Sequence, residues 1–221
     1  MSGADLRHVD TWLFDLDNTL YPMDSGLGAQ LSPRMTAFVA RTTGLSGPEA
    51  LKLQKRYLAD YGLTLRGMML HHDVDPDVFH AIFHDAPLDC LIPAPALAAA
   101  LAWLPGRRLI FTNADAVHTE RVLNHLALAG LFEAVFHIGS AAFHPKPSDQ
   151  SFQAIIAAHA IVPERTAFFE DSARNLEPAA RLGMTTVLVG PHAEADAAPF
   201  IDYRVSSLAP FLAQAQLKET V

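Results

Sequence analysis

Asp15 and Asp17 stand two residues apart where an apolar run ends, in the stretch Trp12–Pro22 that reads WLFDLDNTLYP. A charge at such a place is costly if buried without a partner. Polar groups follow three later runs as well: Thr112-Asn113 after the second, Lys146-Pro147 in a loop after the third, and Glu170-Asp171-Ser172 after the fourth. In a parallel sheet all strands end on one edge, and ligands bind there. Carboxylates gathered on such an edge raise one another's pKa or require a cation. Mg²⁺ meets that requirement, because it takes oxygen from one or two carboxylates together with a substrate phosphate.

The elements that must bring these groups together can be read from hydropathy. Strand-like runs recur at Thr11–Phe14, Arg108–Phe111, Ala134–Ile138, Thr166–Phe169 and Thr185–Val189, with a weaker one at Tyr203–Val205. They are short and almost continuously apolar, as strands covered on both faces should be. Helical patterns lie between them at Ala116–Ala127, Asp149–Ala160 and Pro178–Leu182. The last is read as opening on Pro178 and closing on Gly183. The alternation predicts an α/β fold, a Rossmann-like three-layer α/β/α sandwich around a parallel sheet with right-handed crossovers.

From Tyr21 to about Cys90 the alternation stops and the pattern is helical throughout. Ser32-Pro33 is expected to open one helix with a cap and an N1 proline. Ser46-Gly47-Pro48-Glu49 forms a capping box for a second, Pro48–Tyr61, and Asp75-Pro76 opens a third, Pro76–Asp85. The expected organisation is a core domain of residues 1–20 and 91–221, with a small all-helical cap of residues 21–90 inserted after the first strand. The alanine-rich Pro93–Leu104 segment reads as a helix of the core.

Taken in order, DLDNT (Asp15–Thr19), FTN (Phe111–Asn113), KP (Lys146-Pro147) and EDSARN (Glu170–Asn175) resemble the four motifs of the haloacid dehalogenase superfamily of phosphohydrolases. The resemblance covers nearly the whole chain. It implies that Asp15 attacks phosphorus to form an aspartyl-phosphate, dividing one hard step into two. Asp17 would protonate the leaving oxygen and then activate water. Mg²⁺ would be held by Asp15, the backbone carbonyl of Asp17 and Asp171, with Glu170 acting through water in the outer shell. Thr112, the Asn113 amide and Lys146 would hold the remaining phosphoryl oxygens. The implied partner is a small phosphate monoester.

Each motif alone has a plainer reading. Asp15 and Asp17 could cap a turn at a strand end; Thr112-Asn113 could be a helix entry, Lys146 a surface lysine, and Glu170-Asp171 an acidic helix N-terminus. Their joint, ordered occurrence carries the reading. Of the eleven histidines, His80 and His84 share a helix face, but no HExxH glutamate or third ligand accompanies them. His71-His72-Asp73 is expected in a loop between cap helices. Phe38, Tyr57, Tyr61, Phe79 and Phe83 could stack on a base, or could form the cap's own core.

Composition excludes several classes. Half of the 221 residues are hydrophobic and 18% are charged, which points to a folded globular chain. A net charge of −8 without a Lys/Arg stripe argues against a nucleic-acid duplex as partner. The uncharged run Cys90–Gly106 is broken by prolines and shorter than the ~20 residues of a membrane helix. The opening MSGADLRHVD lacks a secretory h-region and Cys90 is the only cysteine, so a cytoplasmic protein is expected.

Within the superfamily, DLDNTLYP, the Tyr61–Phe79 stretch and IFTNAD resemble the pyrimidine 5′-nucleotidase-like branch. That resemblance implies hydrolysis of UMP or CMP. Alternatives are a phosphatase or phosphomutase acting on phosphoglycolate or a sugar phosphate, a haloacid dehalogenase, and a non-catalytic phospho-ligand-binding module. Two positions depart from the branch: His144-Pro145 precedes Lys146 where relatives commonly carry Cys, and Glu170 replaces a second Asp or a Gly.

Overall fold

A computed structural model describes residues 3–218. Six parallel strands, β1 (Thr11–Phe14), β2 (Arg107–Phe111), β3 (Ala134–Phe136), β4 (Thr166–Glu170), β5 (Thr185–Val189) and β6 (Tyr203–Val205), form one sheet in the order β3-β2-β1-β4-β5-β6. After β1 the chain builds outward on one side through β2 and β3, then returns to build β4, β5 and β6 on the other. The switch point therefore lies at the C-terminal ends of β1 and β4. Register levels those ends: Phe14 lies opposite Ile110 of β2 and Phe169 of β4.

Alternation along β1 divides the core between the two faces of the sheet. Trp12 and Phe14 join one apolar cluster with Ile110 and Phe169, and Leu13 joins a second with Phe111 and Phe168. Phe14 stacks on Phe169 with ring centroids 4.6 Å apart. Burying each such ring stabilises the fold by roughly 1.5–3 kcal/mol, so the floor beneath the strand ends is rigid.

Four of the five α-helices between β1 and β2 form the insert: α1 (Leu27–Thr43), α2 (Gly47–Tyr61), α3 (Thr64–His72) and α4 (Pro76–His84). They bury a third apolar cluster that includes Phe38, Leu53, Tyr57, Met68 and Phe79. Leu20, Tyr21, Leu27, Leu88 and Leu91, at the roots of this insert, pack instead into the sheet's own cluster. Helices α5 (Pro95–Trp103), α6 (Ala116–His125), α7 (Asp149–His159), α8 (Ala173–Arg181) and α9 (Leu208–Gln214) belong to the layers around the sheet. Among the described residues, no helix is long and apolar enough to cross a membrane.

Local signals predict some boundaries and miss others. The capping box at Ser46 and Glu49 and the Asp75 cap of α4 are present. Two proline expectations are corrected. Pro33 lies inside α1, which begins at Leu27 after Gly26 in the left-handed region, and the Ser32 hydroxyl accepts from Gln54 of α2 rather than capping. Pro178 lies inside α8, because the helix already starts at Ala173, directly after the acidic motif. An interior proline costs about 3 kcal/mol; burial of Leu27, and of Leu176 and Ala179, offsets it in the two helices. His71 and His72 end α3 instead of lying in a loop, and Asp73 closes it at φ 52°. Gly67 allows α3 to approach α2, since a Cβ there would lie 2.3 Å from the Tyr57 ring.

Candidate active site

Asp15 follows the last residue of β1 and donates its N–H to the Phe169 carbonyl, extending the ladder by one bond (2.9 Å). Its side chain therefore emerges at the switch point, where it is 6% exposed. Lys146 arrives from the loop after β3 and is only 1% exposed. Its ammonium donates to Asp15 Oδ1, Glu170 Oε2 and the Phe111 carbonyl, each at 2.7 Å. The Phe111 and Phe168 rings lie 5.1 and 5.3 Å away. All three ammonium protons are thus directed at oxygen.

The loop that carries Lys146 is pinned by Asn113. Its Oδ1 accepts the Lys146 N–H at 2.8 Å, and its Nδ2 donates to the Lys146 carbonyl at 3.2 Å. The Lys146–Pro147 peptide is cis. With the Asn113 side chain so engaged, its backbone N–H donates to nothing among the described residues. The Thr112 hydroxyl oxygen accepts the Ala114 N–H at 3.0 Å, leaving its proton available.

Asp171 stands at the rim. Asn18, held at φ 63° in the turn after Asp17, donates to its Oδ2 at 3.2 Å. Asp15, Glu170 and Asp171 each present a carboxylate oxygen within 4.8 Å of the others. Burial, aided by the charge of Glu170 and against the pull of Lys146, pushes the Asp15 carboxyl up to about 7. Burial likewise pushes Glu170 up to about 7, against Lys146 and with Asp171 adding to the rise. Burial, then the charge of Asp15, raises Asp171. One lysine does not balance three carboxylates, and the hard oxygen donors fit a divalent cation such as Mg²⁺.

Asp17 is set apart from that cluster. Its side chain turns toward Tyr21, whose hydroxyl donates to Oδ1 at 2.5 Å, and toward His118, whose Nε2 lies 3.1 Å from the same oxygen. Burial works to raise Asp17, but the His118 and Tyr21 donors outweigh it and hold the carboxyl below its ordinary range. Burial works to lower His118, and Asp17 outweighs it in turn. The Asp17 carbonyl accepts no backbone hydrogen bond among the described residues.

These groups open into a cavity of about 580 Å³ between the sheet edge and the helical insert. Leu31, Met35, Leu58, Phe79 and Phe83 form its apolar wall, and Lys55, His80 and Arg174 reach its lining. The insert is tied over it on both sides. Arg174 donates to the Ala59 carbonyl at 2.6 Å, Arg121 to the Phe83 and Ala86 carbonyls, and His84 pairs with Asp115 at 3.1 Å.

A family model described as haloacid dehalogenase-like hydrolase matches residues 9–183. The chain belongs to the haloacid dehalogenase-like hydrolases. It is 25% identical over 193 residues to Phosphate metabolism protein 8 of Saccharomyces cerevisiae, an alignment that covers 80% of this chain and 60% of the yeast protein. Its fold is similar to that of an HAD phosphatase from Thermococcus onnurineus, with TM-score 0.62 and 19% identity over 90% of this chain and 94% of the other. It is also similar to the L-2-haloacid dehalogenase of Xanthobacter autotrophicus, with TM-score 0.53 and 18% identity over 96% and 90% of the two chains.

In this hydrolase the four motif segments, distant in sequence, meet at one edge, as parallel-sheet geometry requires. Three features were not foreseen. Tyr21 lies inside the quoted opening stretch, and His118 follows the second motif by one helical turn; reading the histidines only as metal ligands hid the latter. The cap aromatics divide: Phe38 and Tyr57 are interior, whereas Phe79 and Phe83 also line the cavity. His71 and His72 are engaged by the Tyr61 and Tyr57 hydroxyls.

Proposed function

We propose that this hydrolase is a Mg²⁺-dependent phosphatase acting through an aspartyl-phosphate on Asp15, with a pyrimidine nucleoside 5′-monophosphate such as UMP or CMP as substrate. The observation that carries the reading is the pairing of Asp15, gripped by Lys146 at 2.7 Å, with a second carboxylate, Asp17, on the same cavity. A haloacid dehalogenase branch lacks an acid at the Asp17 position, so the second carboxylate favours phosphate over halide chemistry. None of the matched catalytic positions is lost, which disfavours a purely ligand-binding module.

In the first half-reaction Asp15 forms a bond to phosphorus as the ester P–O bond breaks, and the departing oxygen takes a proton from Asp17. In the second, water attacks the aspartyl-phosphate, returns a proton to Asp17, and releases phosphate and free Asp15. The His118 and Tyr21 donors favour ionised Asp17, the form that receives the proton in the second half; for the first half Asp17 must carry a proton against that preference. Lys146 orients the nucleophile, and with Thr112 and the Asn113 N–H would hold phosphoryl oxygens; for that, one of the three Lys146 donors must exchange its present partner. Bound by Asp15, the Asp17 carbonyl and Asp171, with Glu170 in the outer shell, Mg²⁺ would supply charge neutralisation for the phosphoryl oxygens.

Substrate class rests on the roof. Residues 21–90 serve in this reading as a cap domain over a core of 1–20 and 91–221. A cavity of about 580 Å³ with Phe79 and Phe83 on its wall suits a leaving group with a planar ring better than glycolate. The lone Cys90 fits a cytoplasmic enzyme.

Phosphate release by the purified protein with Mg²⁺ tests the reading on UMP, CMP, purine monophosphates, phosphoglycolate and sugar phosphates side by side. A kcat/KM highest for UMP or CMP is expected, and a wide preference for phosphoglycolate or a sugar phosphate would reject the nucleotide. Activity should vanish in Asp15→Asn; full activity there would reject the nucleophile.

A further inference from the structure

Asp17 holds more hydrogen bonds than a proton shuttle needs, and all of them fall on one oxygen. The Tyr21 hydroxyl and His118 Nε2 both meet Oδ1, at 2.5 and 3.1 Å, whereas Oδ2 accepts nothing among the described residues. Both donors come from within the packed core. Tyr21 is 6% exposed and sits where the chain leaves the sheet for the helical insert; His118 is 4% exposed, in the first turn of α6.

Their polarity has no other use in the fold. His118 Nδ1 is buried with no hydrogen-bond partner among the described residues, where the ring makes a single side-chain hydrogen bond, to Asp17. A buried imidazole with one unpaired nitrogen costs stability compared with an apolar ring of similar size. The Tyr21 ring packs in the sheet's apolar cluster, and among the described residues its hydroxyl likewise bonds only Asp17. Two costly polar groups converging on one oxygen, with no mutual bond, are an arrangement for holding that carboxylate in one orientation.

We propose that Tyr21 and His118 are positioning residues that clamp Asp17 through Oδ1 and so make Oδ2 the oxygen that exchanges the proton with the leaving group and with water. The inference rests on the reading of Asp17 as proton partner. A carboxylate held by neither donor turns freely about its last torsion and spends little time aimed at the reacting oxygen. Misplacement of a reacting group by about 1 Å can cost ~10²-fold in rate. The loss belongs in kcat because the clamp acts through Asp17; Tyr21 does not line the cavity, whereas His118 reaches its lining, so Tyr21→Phe gives the cleaner separation of kcat from KM. Tyr21 adds a link to the insert: its ring is set by the same segment that leads into α1, so a shift of that root is felt at Asp17.

The test is a double-mutant cycle on the full-length enzyme with Mg²⁺, using the phosphate monoester of the panel that turns over fastest. His118→Ala, His118→Gln, Tyr21→Phe and Asp17→Asn are made singly, and the first three also in the Asp17→Asn background. Expected are a fall in kcat of about 10–100-fold for His118→Ala and about tenfold for Tyr21→Phe, with KM within about threefold of wild type. His118→Gln, whose amide nitrogen lies near the position of Nε2 and can donate to Oδ1, should recover part of the loss. In the Asp17→Asn background neither change should lower turnover further, because a residue that acts only through Asp17 has nothing left to orient.

Equal fractional losses in the two backgrounds would overturn the clamp, as would a loss confined to KM. Should His118→Ala fail to fold, Tyr21→Phe, which removes a single oxygen, carries the same cycle. The two readings fail separately. If Asp17→Asn turns over like wild type, Asp17 is not the proton partner; if Asp17→Asn is crippled while His118→Ala and Tyr21→Phe stay within twofold of wild type, only the clamp is rejected.

Discussion

Gly62 of the helical insert and Lys146 of the sheet-edge loop lie in direct backbone contact: a Cβ built on Gly62 would meet the Lys146 carbonyl oxygen at 2.6 Å. Gly62 also adopts φ +77°, closing α2 in the left-handed region. The roof of the cavity thereby rests on the loop that delivers the ammonium. Gly62→Ala is expected to cost about 1–3 kcal/mol, from the φ alone and from displacement of one backbone by the other. Urea unfolding should show that loss, and KM should rise because the cavity wall moves relative to Asp15. An unchanged midpoint and unchanged KM would mean that the two backbones separate freely in solution.

Lys146 stands between two buried carboxylates, and removing it leaves both without a counter-charge. Lys146→Met preserves length and packing against Phe111 and Phe168 but is expected to destabilise the metal-free fold by about 3–5 kcal/mol. Lys146→Met with Glu170→Gln should recover part of that loss, since one of the stranded charges goes with the glutamate. The measurement is chemical unfolding in EDTA, alongside phosphate release, which should be abolished in both variants. Additive destabilisation by the two changes would show that the ion pair contributes no coupling.

The raised carboxylates make stability depend on pH in a defined direction. Asp15 and Glu170 titrate near 7 in the fold, above their unfolded values of 3.8 and 4.5. Between those limits the folded chain binds more protons than the unfolded one, so stability is highest below about 4 as far as these groups are concerned and falls as pH rises toward 7. A cation bound by the ionised carboxylates opposes that fall. The increase in Tm on replacing EDTA by Mg²⁺ should therefore be larger at pH 8 than at pH 5. An increment independent of pH across that interval would contradict the assignment of these carboxylates to the metal. Asp15→Asn should flatten the EDTA profile.

How much of this could be read from sequence follows from which forces are local. Strand ends are fixed by short apolar runs, so the positions of Asp15, Thr112 and Glu170 follow from hydropathy once the sheet is parallel, and β5 and β6 fall at the expected residues. Helix starts inside the insert depend on contacts between helices. Pro33 reads as a start, but Leu27 is drawn into the sheet's cluster and the helix begins two turns earlier. Helix α3 leaves no local mark in the sequence, because its apolar residues serve Tyr57 and the insert's core and no cap residue precedes it. The His118 contact with Asp17 has no local signal, since His118 becomes its neighbour only when α6 is set against the turn after β1.

Asn113 makes the most specific demand on the site, because its amide reads both sides of one residue's backbone. Its two bonds, at 2.8 and 3.2 Å, hold the Lys146 N–H and carbonyl together, and each is worth about 1 kcal/mol net. Asn113→Ala should lose about 2 kcal/mol of stability, and kcat should fall by more than ~10-fold because Lys146 no longer meets Asp15 in a fixed direction. Asn113→Asp keeps the acceptor for the Lys146 N–H but sets a carboxylate oxygen against the Lys146 carbonyl. The acid should therefore be no better than alanine in stability, although it is nearly isosteric with the amide. Unfolding midpoints and kcat for the two variants check this, and wild-type behaviour in Asn113→Asp would show that the loop is held by something other than the amide donor.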